Sequence, residues 1–179
     1  PTIDAQIRQM FLSHTLLWGG LPGKKLAALA RDMRYRELGN GETLIRQGDE
    51  GNSMFLVVEG RLEARLAQPG SKGRYTVLGH SRRGELVGEM SVLSDQPRMC
   101  SVVAVRESKV LELLRSDFLS IVAQHPEVMF GLTEELIRRR IEGPPSAYDV
   151  TSVAVIPKSG AVDIDLEIAP GDEHGAARL

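Results

Sequence analysis

From Ile3 to Met33 the apolar residues recur at helical spacing, Ile7, Met10 and Phe11 and then Leu26, Leu29, Ala30 and Met33, with a break at Gly19-Gly20-Leu21-Pro22-Gly23. The pattern predicts two short helices. From Tyr35 to Leu114 the texture changes to short apolar runs divided by glycines: Thr43–Ile45, Met54–Val58, Arg61–Leu66, Tyr75–Leu78, Val102–Val105 and Val110–Leu113. Strands at this spacing predict a β-barrel or jelly roll. Arg61-Leu62-Glu63-Ala64-Arg65-Leu66 alternates strictly, which places Leu62, Ala64 and Leu66 inward and the charges in water. The Gln68–Gly73 stretch has the residues of a hairpin loop. Gly41, Gly48 and Gly60 read as turn glycines of the barrel.

Helical spacing resumes at Asp117-Phe118-Leu119, with Ser116 as the expected N-cap, and continues after Pro126 through Val128, Met129, Leu132, Leu136 and Ile137. Glu134 and Arg138 form an acid-first pair four residues apart, and Arg138-Arg139-Arg140 reads as a solvated helix end where the dipole favours cations. Gly143-Pro144-Pro145 ends the helix. Beyond it, Thr151–Ile156 and Val162–Ile168 read as strands of a following region. The domain is therefore expected over residues 1–143, with a linker and the start of another region over 144–179.

The 179 residues, 42% of them apolar, suffice for one full core and a short remainder. Lys plus Arg is 22 against 24 for Asp plus Glu, and no basic run is long enough for a nucleic-acid footprint. No apolar run approaches the roughly 20 residues of a membrane-spanning helix, and the N-terminus has no secretory pattern. The lone Cys100 reads as a small core residue and fits a reducing cytoplasm. A start at Pro1 and a polar end at Pro170–Leu179 are expected of a fragment. The short apolar stripe of the last helix predicts a monomer or weak dimer.

The segment from Gly84 to Val102 carries the chemistry. A small anionic sugar phosphate needs backbone N–H groups at a helix start, a glycine for close approach, an arginine for the phosphate and a carboxylate for ribose hydroxyls. Gly88 permits the approach, Glu89 offers the carboxylate, Met90-Ser91-Val92-Leu93 can form one helical turn, and Arg98 follows Pro97. On composition alone, Glu89 and Arg98 fit equally well as an ordinary ion pair flanking a surface loop.

Gly88-Glu89-Met90-Ser91-Val92 through Pro97-Arg98-Met99-Cys100-Ser101-Val102 resembles the phosphate-binding cassette of the cyclic-nucleotide-binding domains, as in the catabolite activator protein and the regulatory subunits of cAMP-dependent protein kinase. Leu44-Ile45-Arg46-Gln47-Gly48-Asp49-Glu50-Gly51-Asn52-Ser53 through Gly60 resembles that family's other signature. The resemblance runs from about Leu12 to Ile141. It implies a mainly β fold, an eight-stranded jelly-roll barrel with N-terminal helices and two C-terminal helices. It implies further that Arg98 pairs with the exocyclic phosphate oxygens, that Glu89 binds the ribose 2′-hydroxyl, that the Gly88 backbone lies near the ribose, and that Ser91 and Met99 offer backbone N–H groups. Met99 and Cys100 stand where the family usually has small residues. In the family a hydroxyl after the arginine often accompanies cGMP preference, and Met99 supplies none, so the resemblance implies cAMP ahead of cGMP as the ligand. The side chains of Glu89 and Arg98 are expected to serve the ligand rather than the core.

The implied role is a regulatory sensor that shifts its C-terminal helices and an attached effector domain. The alternative is a degenerate copy of the fold kept for packing, which would often lose the Glu/Arg pair. A metal-dependent jelly-roll enzyme would need clustered histidines, whereas His14, His80, His125 and His174 are scattered. Nor does a helix-turn-helix pattern follow the last helix. The strand Ser152–Pro157 resembles the junction in the neuropathy-target-esterase group, where such domains precede a patatin-like phospholipase. The motif Gly-x-Ser-x-Gly occurs nowhere in the chain, which is not expected to be an enzyme itself.

Overall fold

A computed structural model describes the backbone of residues 5–15, 17–68, 70, 73–142, 148–158 and 161–170, and among these the side chains up to residue 136. Helices α1 (Ala5–Ser13) and α2 (Gly23–Asp32) lead into strands β1 (Arg34–Leu38), β2 (Thr43–Ile45), β3 (Ser53–Glu59), β4 (Arg61–Ala67), β5 (Tyr75–Arg82) and β6 (Leu86–Val87). Helix α3 (Glu89–Ser94) interrupts the strands before β7 (Ser101–Ala104) and β8 (Ser108–Leu114); α4 (Arg115–Gln124) and α5 (Val128–Glu142) follow, then strands β9 (Tyr148–Lys158) and β10 (Ala161–Pro170).

Strands β1 to β8 form two four-stranded antiparallel sheets, ordered β1-β8-β3-β6 and β2-β7-β4-β5. This is the eight-stranded jelly-roll architecture. Two of its strands lack a pattern that would predict them: β1, whose sequence Arg-Tyr-Arg-Glu-Leu has no apolar alternation, and β6, which is two residues long. Strands β9 and β10 pair as a separate antiparallel hairpin.

Strand β3 explains how a single sheet serves two cores. Phe55 and Val57 point between the sheets, where they meet Leu38, Ile45, Leu62, Val87, Val102 and Val110. Met54 and Leu56 point the other way, into a cluster with Leu12, Trp18, Leu29, Val92, Leu93, Phe118, Val122 and Leu132 from the helices. A strand buried on both faces reads as a continuous apolar run, which is what Met54–Val57 is. On β4, Leu62 is fully buried while Ala64 and Leu66 are half-buried, so the inward face opens toward the hairpin end. Gly41, Gly48 and Gly60 all have positive φ, as turn glycines require.

Ser116 is not the N-cap. Helix α4 begins at Arg115, directly from extended Leu114, and no side chain caps it. The start is held instead by the Arg115 amide, which donates to Asn52 O at 2.8 Å. The expected Glu134–Arg138 pair, the Arg138–Arg140 side chains, the Gly143–Pro145 linker and part of the Gln68–Gly73 loop lie outside the described residues. Among the described residues no helix is long and apolar enough to cross a membrane.

Phe118 is the pin of the helix-side core: it is fully buried and meets Trp18 edge-on, with ring centroids 6.2 Å apart. Phe118→Ala is expected to cost about 3–5 kcal/mol, the range for large aromatic truncations in a packed core. Urea unfolding followed by Trp18 fluorescence measures it; a loss under about 1 kcal/mol would show that the helices are not held through this contact.

Candidate functional site

The site is built on the turn between β6 and α3. Gly88 takes φ 78°, the left-handed region, at the position just before α3. Space forbids a side chain there as well, since a β-carbon would come within 2.6 Å of Arg98 Nη1 and 2.9 Å of Ile45 Cδ1. Glu89, Met90 and Ser91 form the first turn of α3, with Glu89 and Ser91 buried and Met90 half-buried. Val92 and Leu93 anchor the helix in the helix-side core.

Arg98 reaches back across this turn. Its Nη1 donates to Gly88 O at 2.8 Å and its Nη2 to Ser53 O at 2.6 Å, with Ser53 Oγ at 3.5 Å. Its backbone is equally fixed: Arg98 N donates to Asp49 O and Gly48 N donates to Arg98 O, each at 2.8 Å. Met99 and Cys100 follow half-buried, and Gln47 N donates to Ser101 Oγ at 3.0 Å. The loop between β2 and β3 is thus sewn along the arginine segment.

Glu89 and Arg98 are each only 7% exposed. An exposed ion pair at the rim of a loop is excluded by that burial. Burial pushes the Arg98 guanidinium below its usual pKa, while the charges of Glu89, Glu112 and Asp49 partly offset the effect. Arg98 also lines a cavity of about 230 Å³, together with Arg36, Ile45, Asp49, Phe55 and Glu112. A larger groove of about 870 Å³ lies between α1 and the β5–β6 turn, lined by Ile7, Met10, Phe11, Val58 and Leu111 among others, and it contains none of the predicted site residues.

Of the predicted residues, Gly88, Glu89, Met90 and Ser91 form one turn and the Arg98 fork reaches it, while Met99 lies on the segment that follows Arg98. In one respect the structure differs from expectation. Arg98 does not serve a ligand alone, because its fork satisfies the carbonyls of Gly88 and Ser53 and so ties the turn to the start of β3. The residues that sequence reasoning passed over are Ser53 and Gly51. Ser53 acts through its carbonyl, which no residue type signals, and Gly51 is buried with no room for a β-carbon, which would overlap Ser91 Cβ.

The sequence profile of the cyclic nucleotide-binding domain matches residues 35–125, which span the barrel, the turn and Arg98. The chain belongs to the cyclic nucleotide-binding domain family. It is 32% identical over 123 residues to the cyclic AMP receptor protein of Thermus thermophilus, covering 69% of this chain and 56% of that protein. It is 31% identical over 107 residues to lysophospholipase nte1 of Aspergillus fumigatus; this covers 60% of the chain but only 7% of that protein. Among solved structures, the catabolite activator protein of Thermus thermophilus superposes with a TM-score of 0.62 at 31% identity, over 72% of this chain and 59% of that one. A mutant of a cAMP-binding acyltransferase from Mycobacterium smegmatis gives 0.63 at 26% identity, over 76% and 42%.

Within this cyclic nucleotide-binding domain, Cys100 is a half-buried neighbour of the charged pair. Desolvation pushes its thiol up to about 11 from an ordinary 9.0, with Glu89 adding to the rise and Arg98 opposing it. The fold favours the neutral thiol, so its contribution to stability is present in full below pH 9.0 and is lost as pH rises through about 11. Alkylation by iodoacetamide is expected to be slow in the native chain at neutral pH and fast in denaturant, with a native midpoint near that raised value. A native midpoint at the ordinary thiol value would place Cys100 in solvent.

Proposed function

We propose that this domain is a cAMP sensor that passes ligand binding to its C-terminal helices and to an attached effector domain. The observation that carries the reading is the burial of both Glu89 and Arg98 at the Gly88 turn. Burying two opposite charges beside one tight turn is costly, and a guanidinium carries more N–H donors than the two carbonyls take up, which suits it to an anion as well. In this reading Arg98 pairs with the exocyclic phosphate oxygens and Glu89 accepts from the ribose 2′-hydroxyl. The Gly88 backbone lies against the ribose, and Ser91 and Met99 offer amides, that of Ser91 being in a first helical turn and so without an intrahelical acceptor. The choice of cAMP over cGMP rests on Met99, which has no hydroxyl, and agrees with relatives named for cyclic AMP.

A route for the signal supports the regulatory part. Arg115, the first residue of α4, donates its Nε to Val92 O of α3 at 2.9 Å and pairs through Nη1 with Asp95 Oδ1 at 3.5 Å. A movement of α3 would pull directly on α4. The effector is proposed from the lysophospholipase relatives, of which this chain matches a small part; the esterase chemistry would belong to sequence outside these residues. The domain acts in the cytoplasm as a monomer or weak dimer. Nothing favours the degenerate alternative.

Calorimetric titration of ligand-stripped protein with cAMP, cGMP and cyclic dinucleotides tests the reading, and silence with all of them at millimolar concentration would sink it. Arg98→Ala is expected to weaken cAMP binding by about 2–5 kcal/mol, as for one side of a buried charged contact. Arg98→Lys recovers only part of this, having a point charge in place of a fork. Glu89→Ala is expected to cost about 1–3 kcal/mol, since its hydroxyl partner is neutral. Because Arg98 also satisfies two carbonyls, Arg98→Ala lowers unliganded stability by about 1–3 kcal/mol, the cost of buried acceptors left without partners. Equal binding losses from the two truncations would contradict the assigned roles. Arg115→Ala is expected to leave cAMP binding but reduce the cAMP-induced change in hydrogen exchange of α4 and α5; an unchanged exchange response would remove Arg115 from the route.

A further inference from the structure

Gly51 lies in the loop between β2 and β3, buried against α3. Its φ is outside the left-handed region, so no positive φ calls for glycine there. Space is the constraint: a β-carbon at Gly51 would overlap Ser91 Cβ, come within 2.9 Å of Ser91 Oγ and lie 3.3 Å from Gln96 O. The two neighbouring stretches of the same loop hold Arg98. Gly48 and Asp49 pair with its backbone on one side of Gly51, and Ser53 O accepts its Nη2 on the other. One residue before Ser53, Asn52 O accepts the Arg115 amide at the start of α4.

We infer that Gly51 and Ser91 form a size-matched joint that locks the β2–β3 loop onto the helix of the cassette, and that this joint, acting through the packing of the Ser91 side chain and apart from the amide that Ser91 offers the ligand, sets the direction in which Arg98 presents its fork. Gly51 is in this sense a positioning residue for the site proposed above, and the inference rests on that reading only for the identity of the ligand. The physical argument is one of rigid levers. The loop holds Arg98 through hydrogen bonds at Gly48, Asp49 and Ser53, and a loop lifted by the width of a methyl group carries those acceptors and donors with it. A bidentate contact tolerates little such displacement, because its gain depends on two parallel N–H directions. Ser91 is the matching half: its side chain fills the space that Gly51 leaves, so relief on the Ser91 side should compensate for bulk on the other.

The test is a double-mutant cycle on the full chain with Gly51→Ala, Ser91→Gly and the pair, read in two ways. In the unliganded protein, amide exchange at Arg98 and Gly48 is expected to speed up about tenfold in Gly51→Ala, the equivalent of about 1.4 kcal/mol of lost protection, and to return most of the way in the double variant. Titration with cAMP, well below the unfolding midpoint, is expected to show affinity falling about tenfold in Gly51→Ala and largely recovered in the double variant. The Gln96 carbonyl, still within 3.3 Å, leaves the recovery incomplete. If Gly51→Ala does not fold, Ser91→Gly must restore folding, and a double variant that stays unfolded overturns the joint. Unchanged exchange at Arg98, or exchange that the double variant fails to restore, overturns it too. Lowered stability with unaltered affinity in the folded protein would make Gly51 a packing residue only. Should the wild-type chain give no heat with cAMP while the exchange arm behaves as stated, the ligand assignment fails and the joint stands.

Discussion

A guanidinium taken out of water must have its donors met, and Arg98, the more buried of the two buried arginines among the described residues, imposes that constraint on the site. Its partners are backbone carbonyls, of Gly88 and Ser53, which cannot rotate away as side chains do. Several features follow from serving it. Gly88 lacks a β-carbon because Arg98 Nη1 and Ile45 occupy the place one would take. Ser53 begins β3 of one sheet while Arg98 leads into β7 of the other, so the fork bridges the two halves of the barrel. The β2–β3 loop runs alongside to satisfy the arginine backbone.

The same turn is mechanically continuous with the helices. Val92 and Leu93 of α3 pack in one cluster with Leu12 and Trp18 at the N-terminal end of the chain, Met54 and Leu56 of β3, and Phe118 and Leu132 of α4 and α5. Interiors packed to this density change by discrete repacking, not by gradual deformation. A helix that is at once the wall of a polar site and a member of the apolar core has few ways to move that leave the other helices unchanged. The polar contacts of Arg115 to Val92 O and Asp95 add direction to that coupling, because they join one end of α3 to the first turn of α4.

Much of this was legible from residue order. The apolar run Met54–Val58 predicts a strand, and β3 covers it; the order Gly88-Glu89 and Arg98 picks out two side chains that the structure buries at one turn. What stayed hidden shares a physical origin. Strand β1 is held by ladder bonds to β8 and shows no alternation, since Arg36 lies over the Phe55 ring and Tyr35 bonds Glu37. Ser116 looked like a cap, yet the start of α4 is fixed by Asn52 O, a backbone group whose position depends on a distant loop. Ser53 and Gly51 matter through a carbonyl and through an empty volume. Neither quantity is a property of residue type; both exist only once distant segments meet.

The two cavities show why volume is a poor guide to this site. The larger groove mixes apolar walls with Arg8, Arg82, Arg83, Glu85 and Glu135 and holds none of the predicted site residues, whereas the smaller one sets Arg98 beside Asp49 and Glu112. For a small anion, affinity comes from a few charge-assisted contacts in a desolvated place more than from area. The arrangement also bears on which anions suit it. Glu89, Glu112 and Asp49 already favour the charged form of Arg98 against the effect of its burial. On the proposed reading, a cyclic phosphate brings one negative charge, which strengthens that balance at the fork. A linear nucleotide monophosphate brings close to two charges, and the added one would meet more repulsion from nearby carboxylates in a poorly hydrated site. The acids that help keep the arginine charged would therefore act as a filter for the cyclised form, so that selectivity against the open nucleotide arises from the field around the site as well as from its shape.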